Sequence, residues 1–245
     1  MHKFFTEDIK DGYAYITGED VRHAWKVLRL KAGDEVELNN LSGTEYTGVI
    51  EEITKDRVSV KITGESEKGN ESPFEITLFQ GIPKGQKMEL ICQKACELGC
   101  VRVVPLLTER VIPDAGKEYR KLDRLKKIIL EASKQSKRSR IMEITEPISI
   151  EEIENTKDFP DILIVPYENA EGKGIKSIGG IIENAESAGI VIGPEGGFEE
   201  EEIKYLEKTR AHIVTLGPRI LRTETAGMAV MSVLQYIRGD FGGKV

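Results

Sequence analysis

Residues 190–203 read IVIGPEGGFEEEEI: a β-branched run, the glycine-rich turn Gly193-Pro194-Glu195-Gly196-Gly197, then an acidic helical start. Strand, glycine turn and helix is the layout of a phosphate-binding loop. Yet the carboxylates of Glu199, Glu200, Glu201 and Glu202, which suit the positive end of a helix dipole, would repel a phosphate at the same place. The turn also lacks the Lys-Ser/Thr ending of a triphosphate loop and the G-x-G-x-x-G spacing of a dinucleotide fold. Its glycines, with Pro194 fixing one backbone angle, suit a main chain that approaches a flat ligand closely and bonds it through its own amides. That describes a purine pocket without a phosphate site, although a plain strand-to-helix connection accounts for a single such turn equally well. Two further unusual loops follow apolar runs: Pro166-Tyr167-Glu168 after residues 162–165, and Gly217-Pro218-Arg219 after residues 213–216. Ligands collect at the carboxyl ends of parallel strands, so the three loops predict one pocket.

The elements that must position these loops follow from periodicity. After Pro73 apolar strands alternate with helical patterns: FEITLFQGI is a strand, and residues 85–99 are a helix with Met88, Ile91, Ala95 and Leu98 inward and Gly99 as its stop. VRVVPLL and DILIVPYE are further strands. Such alternation predicts an α/β domain over residues 73–245, built on a parallel sheet covered by helices. Residues 1–70 differ. GYAYITG, EVELNN, EYTGVIEEI and RVSVKITG alternate with period two, which predicts a small β-barrel or sandwich. One helical insert interrupts it, with Val21, Ala24 and Leu28 as the buried stripe and Gly33 closing the turn. Residues 64–73, polar and aperiodic, are the expected linker.

The net charge of −7 hides an asymmetry. Residues 84–140 hold 15 Lys and Arg against 7 Asp and Glu, and the remainder holds 20 against 35. One region is therefore suited to anions. Within it Leu122, Leu125, Ile129 and Ala132 have helical spacing for a core, while Arg120, Arg124, Lys127, Lys134 and Arg138 recur on another face. A solvated charged face and an RNA contact both explain such a stripe. Lys84, Lys94 and Arg110 belong to the same basic stretch. Cys92, Cys96 and Cys100 are odd in number and no histidine lies near them in sequence, so they read as buried thiols and no metal site is expected. No apolar run reaches the length of a membrane span, and MHKFFTEDIK has no signal-peptide core, so a cytoplasmic protein is expected.

Two long motifs, IGPEGGF (192–198) and LGPRILRTETA (216–226), closely resemble the signature of the RsmE family of 16S ribosomal RNA uridine methyltransferases in the SPOUT superfamily. HAWKVLRLKAGDEV, KACELG, PLLTER and EASKQSKR resemble further segments of that family, so the likeness runs along the chain. It implies a PUA-like RNA-binding β-barrel over residues 1–70 and a SPOUT methyltransferase domain with a deep trefoil knot over residues 73–245. It also implies S-adenosyl-L-methionine as cofactor, 16S ribosomal RNA or the small ribosomal subunit as partner, and a homodimer. A SPOUT enzyme acting on another RNA and a non-catalytic RNA-binding protein are the competing readings.

Carried onto this sequence, the resemblance places the cofactor among Val165, Pro166 and Tyr167; Ile192, Gly193, Pro194, Glu195, Gly196 and Gly197; Leu216, Gly217, Ile220 and Leu221; and Thr225 and Ala226. A cofactor that is a sulfonium cation without phosphate is compatible with a glycine turn beside carboxylates, and Glu195 is expected to take part where Glu199 to Glu202 only cap a helix. Methylation at uridine N3 requires loss of the imide proton. Arg222 is the expected anion stabiliser and Glu224 its orienting or proton-accepting partner, with Thr223 as the expected helix cap. His23, Arg29, Lys84, Lys94, Arg110, Arg124, Lys127, Lys134, Arg138 and Arg219 are the candidate RNA contacts.

Overall fold

The computed structural model describes residues 1–66, 69–110, 122–170 and 172–243. The chain divides into two compact units, Met1–Glu71 with Ser133–Ile141, and Ser72–Ala132 with Met142–Val245. Among the described residues no helix is long and apolar enough to cross a membrane.

In the first unit, strands His2–Phe5 (β1), Ile9–Lys10 (β2), Tyr13–Thr17 (β3), Glu35–Asn39 (β4), Glu45–Ile53 (β5) and Arg57–Ser66 (β6) form one sheet, in the order β1-β4-β5-β6-β3-β2. Period-two alternation sends Ala14 and Ile16, Val36 and Leu38, and Val58 and Val60 into its core. Two irregularities in the β5–β6 register bend the ladder. The two end strands, β1 and β2, are not paired with each other among the described residues, so the expected barrel is an open half-barrel. The insert is a short helix, Glu19–Arg22 (α1), running into a wider turn, His23–Val27, with Val21 and Ala24 buried as the pattern requires. Both described ends of the expected linker belong to ordered structure: β6 extends to Ser66, and the Glu71 carboxylate accepts hydrogen bonds from the Ser139 and Arg140 amides and the Arg138 guanidinium.

In the second unit, Glu75–Gly81 (β7), Arg102–Leu107 (β8), Glu143–Ile144 (β9), Ile148–Ser149 (β10), Ile162–Pro166 (β11), Ser187–Ile192 (β12) and His212–Val214 (β13) form a wholly parallel sheet. Its order is β10-β8-β7-β12-β11-β13, with β9 pairing beside β8. Both faces are buried, which explains the near-continuous apolar runs. Leu78, Val103, Ile164 and Ile190 point to one core, shared with helices Lys87–Glu97 (α2), Leu122–Gln135 (α3), Gly179–Asn184 (α4) and Thr223–Ile237 (α6). Phe79, Val104, Val165 and Val191 point to the other, under helix Glu200–Lys208 (α5). Leu125, Ile129 and Ala132 form the buried stripe of α3 as their spacing predicts, and Arg120 lies outside the described residues. The short strands β1, β2, β9 and β10 and the helix α4 were not legible in the pattern, because elements of two to six residues carry too few periods to register.

Candidate active site

The carboxyl ends of β11 and β12 and the loop after β13 meet in a two-lobed cleft within the second unit. One lobe, of about 410 Å³, is lined by Pro166, Tyr167 and Glu168, by Thr215, Leu216, Gly217, Pro218 and Arg219, and by Ile220, Leu221 and Ala226. The other, of about 350 Å³, shares Pro166, Glu168, Ile220, Leu221 and Ala226 and adds Lys87, the loop Ile192-Gly193-Pro194-Glu195, Gly197, Phe198, Arg222 and Thr223. The first lobe is mainly apolar; the second gathers charge.

Close approach of backbone builds the cleft wall. A side chain on Gly81, at the end of β7, would lie 2.7 Å from Pro194, so only glycine lets that strand end touch the loop. Behind the loop, fully buried Gln80 donates from Nε2 to the Thr223 hydroxyl at 2.8 Å, and Thr223 donates in turn to the Gly193 carbonyl at 2.7 Å. This chain of bonds joins β7, the loop after β12 and the start of α6. Thr223 is therefore not the helix cap expected from the sequence. Arg222 holds that position, extended in backbone, with its carbonyl accepting the Thr225 and Ala226 amides. Arg222 is consequently exposed at the rim of the charged lobe.

Two carboxylates, Glu168 and Glu195, line the same lobe, and a third, Glu224, adjoins it through Lys87. Glu195 accepts from Lys87 Nζ at 2.7 Å and from the Lys84 amide at 3.1 Å. Burial raises its carboxyl, but the Lys87 bond and the amides of Glu195 and Lys84 outweigh it, and the net result lies below the ordinary carboxylate value. Glu224 places Oε2 3.8 Å from the same Lys87 ammonium, and that oxygen is buried without a hydrogen bond. Glu168 lines both lobes. The acidic run behaves differently from one solvated face. Glu199 caps α5 in a reciprocal capping box with Glu202, and Glu202 is buried and accepts the Glu109 amide, leaving Glu200 and Glu201 outside.

Of the residues expected at the cofactor, twelve line the cleft and Val165, Gly196 and Thr225 do not. Val165 is wholly buried in the sheet core, and Thr225 is exposed on the first turn of α6. A side chain on Gly196 would meet Arg110 at 3.2 Å rather than the cleft, because the Arg110 guanidinium bonds the Gly196 carbonyl and Glu199. The Glu199 bond raises Arg110 and lowers Glu199 from their ordinary values.

The basic residues divide. Arg138 is a correction: its guanidinium is buried and bonded to Glu71 at 2.6 Å, beyond the end of α3, so it is not on an exposed basic face. Arg110 is tied to the glycine loop, Arg124 pairs with Glu89, Lys94 with Glu97 and Lys134 with Asp20. His23, Arg29, Lys84, Lys127 and Arg219 are exposed. Sequence reasoning missed Lys87 and Gln80. A lysine at a helix start reads as ordinary surface charge, and a glutamine inside a strand carries no periodic signal.

A family profile described as an RNA methyltransferase domain matches residues 70–235, and one described as an RNA methyltransferase PUA domain matches residues 16–63. The chain is similar to the ribosomal RNA small subunit methyltransferase E of Bacillus subtilis, with 34% identity covering 98% of this chain and all of that one. Its counterpart in Aquifex aeolicus is 30% identical over 96% of this chain and 99% of its own. The crystal structure of the Neisseria gonorrhoeae enzyme of that name, bound to S-adenosyl methionine, superposes with a TM-score of 0.82 at 31% identity, covering 98% and 99% of the two chains. The half-barrel is thus PUA-like and the parallel sheet SPOUT-type. With both profiles matched in order and these relatives aligned along nearly their whole length, the chain belongs to the ribosomal RNA small subunit methyltransferase E family.

Proposed function

We propose that the cleft binds S-adenosyl-L-methionine and that the protein uses it to methylate N3 of a uridine in the 16S ribosomal RNA of the small subunit. The observation that carries this reading is one cleft with an apolar lobe and an adjoining lobe where Arg222 stands among carboxylates. The residues fit such a cofactor. Pro166, Leu216, Ile220, Leu221 and Ala226 offer an apolar bed for a purine, and a side chain on Gly217, at φ 106°, would project into open space of the cleft. Glu168, Glu195 and Glu224 supply negative charge suited to a sulfonium and an ammonium. When bound, the cofactor supplies an electrophilic methyl group.

The chain's own residues do the rest. Tyr167, Ile192, Gly193, Pro194 and Gly197 complete the binding wall, while Val165 packs behind it in the sheet core, Gly196 is held by Arg110 and the Thr225 amide bonds the Arg222 carbonyl. Arg222 stabilises the uridine imide as it loses its proton, and Glu224 orients that arginine or takes the proton. Rate comes also from holding the nitrogen in line with the methyl carbon. Residues 1–70 serve as the RNA-binding domain, through His23 and Arg29, and residues 73–245 as the methyltransferase domain, with Lys84, Lys127 and Arg219 exposed for phosphate contact and Lys94, Arg110, Arg124 and Lys134 contributing where their acidic partners leave donors available. A cytoplasmic homodimer is the working form.

Labelled cofactor and small-subunit RNA from a strain lacking the enzyme test this directly. The expected product is a single N3-methyluridine in 16S RNA, mapped by mass spectrometry. Label in a different RNA would move the enzyme to another substrate; RNA retention without transfer would leave a binding protein.

A further inference from the structure

The charged lobe holds a cation that the reaction outlined above does not use. Lys87 lies in the first turn of α2, Glu195 in the loop after β12 and Glu224 in the first turn of α6, so three separate connections converge on one ammonium. Its bond to Glu195 is 2.7 Å; its distance to Glu224 Oε2 is 3.8 Å, within reach of the field but beyond a hydrogen bond. The three side chains are 33%, 25% and 15% exposed, partly shielded from the screening that makes surface pairs weak. Glu195 has the Lys84 amide as a second donor, whereas the buried oxygen of Glu224 has no hydrogen-bond donor. Arg222 and Glu168 line the same lobe. Without Lys87, two carboxylates would converge there with their nearest positive charge gone.

We propose that Lys87 is a positioning residue for methyl transfer, tying the cofactor loop through Glu195 to the reaction centre through Glu224. This rests on the reading of the cleft as a methyl-transfer site. Lys87 touches neither reacting atom; it sets the distance and charge between the loop that grips the cofactor and the carboxylate beside Arg222. Because the Glu224 contact is longer than a hydrogen bond, a small movement of the flexible lysine stem lets it bond either carboxylate.

The test compares wild type, Lys87→Met and Lys87→Arg in single-turnover methylation at saturating cofactor and RNA, from neutral to alkaline pH, with cofactor affinity from calorimetry. Lys87→Met should slow transfer by roughly tenfold or more, the scale of a displaced catalytic group, and alter the pH profile. Lys87→Arg should restore most of the rate, since a guanidinium also reaches both carboxylates. In a Glu224→Gln background the methionine change should add little, because the two act as a unit. Wild-type rate and pH profile in Lys87→Met would overturn the proposal, as would a loss fully additive with Glu224→Gln or one that only follows a lower melting temperature. A wild-type protein that binds cofactor but transfers no methyl overturns the reaction assigned above instead. In that event weakened cofactor affinity in Lys87→Met upholds its hold on the loop, and unchanged affinity removes it.

Discussion

Arg222 is the residue on which the proposed chemistry turns, and its placement in the fold suits that role. As the cap of α6 it has an extended backbone, and its carbonyl is held by two helix amides while the side chain remains free at the cleft rim. Arg222→Ala should therefore leave cofactor affinity nearly unchanged and lower single-turnover methylation by roughly a hundredfold or more, the effect of losing one preorganised donor. Raising the pH should recover part of the loss, because hydroxide then does more of the deprotonation. Arg222→Lys should recover little if two parallel bonds to the uridine edge matter. Normal rates in the alanine variant at saturating RNA would reduce Arg222 to a binding residue. Gly196 teaches a related lesson. Its glycine-rich context points to the ligand, yet its own open side faces Arg110, so a branched residue there disturbs the Arg110 clasp and not the cleft lining directly.

At the scale of elements, the Gln80–Thr223–Gly193 bonds hold the start of α6 against the loop after β12. Thr223→Val keeps the shape but leaves Gln80 Nε2 with the Gly81 carbonyl alone and takes the hydroxyl donor from the Gly193 carbonyl, a loss of about 1–3 kcal/mol. A urea titration followed by circular dichroism should show that loss, and Thr223→Ser, which keeps the hydroxyl, should show little of it. The basic helix α3 gives a second prediction. Lys127 is exposed and has no acidic partner among the described residues, while Arg124 is paired with Glu89. Lys127→Glu should weaken RNA binding and flatten its dependence on salt with cofactor affinity intact. An unchanged salt slope would remove that face from the RNA site.

For the molecule as a whole, stability at high pH should depend on a buried thiol. Cys92 is wholly buried in the sheet core, and burial first, then Cys100, Cys96 and Glu89, push its thiol up to about 12 from 9.0. A group raised on folding contributes stability that is complete below its free value of 9.0 and is lost as pH rises through the folded value near 12. Thermal unfolding across alkaline pH should therefore steepen above the free value, and Cys92→Ala should flatten that fall. Alkylation of native protein should spare all three cysteines until it unfolds, since each is buried.

Much of this was legible in the sequence, because the signals were local. Period-two runs announced the β-sheet unit though not its open edge, period 3.6 placed the inward face of α2 and α3, and three proline-bearing loops after apolar strands, two of them with glycine, located the cleft. The family motifs added the cofactor and substrate class, which spacing does not contain. Tertiary structure alone decided which charges are available. Arg138 and Lys127 both fall on the basic stripe that the sequence spacing predicts, yet one is buried against Glu71 and the other is exposed. Glu202 belongs to an acidic surface run by sequence but is a buried cap in the fold. Lys87, Glu195 and Glu224 are far apart along the chain and come together because the parallel sheet brings the ends of its strands to one edge. A side chain's partner depends on distance in space, and the chain's order does not record that distance until the strands have paired.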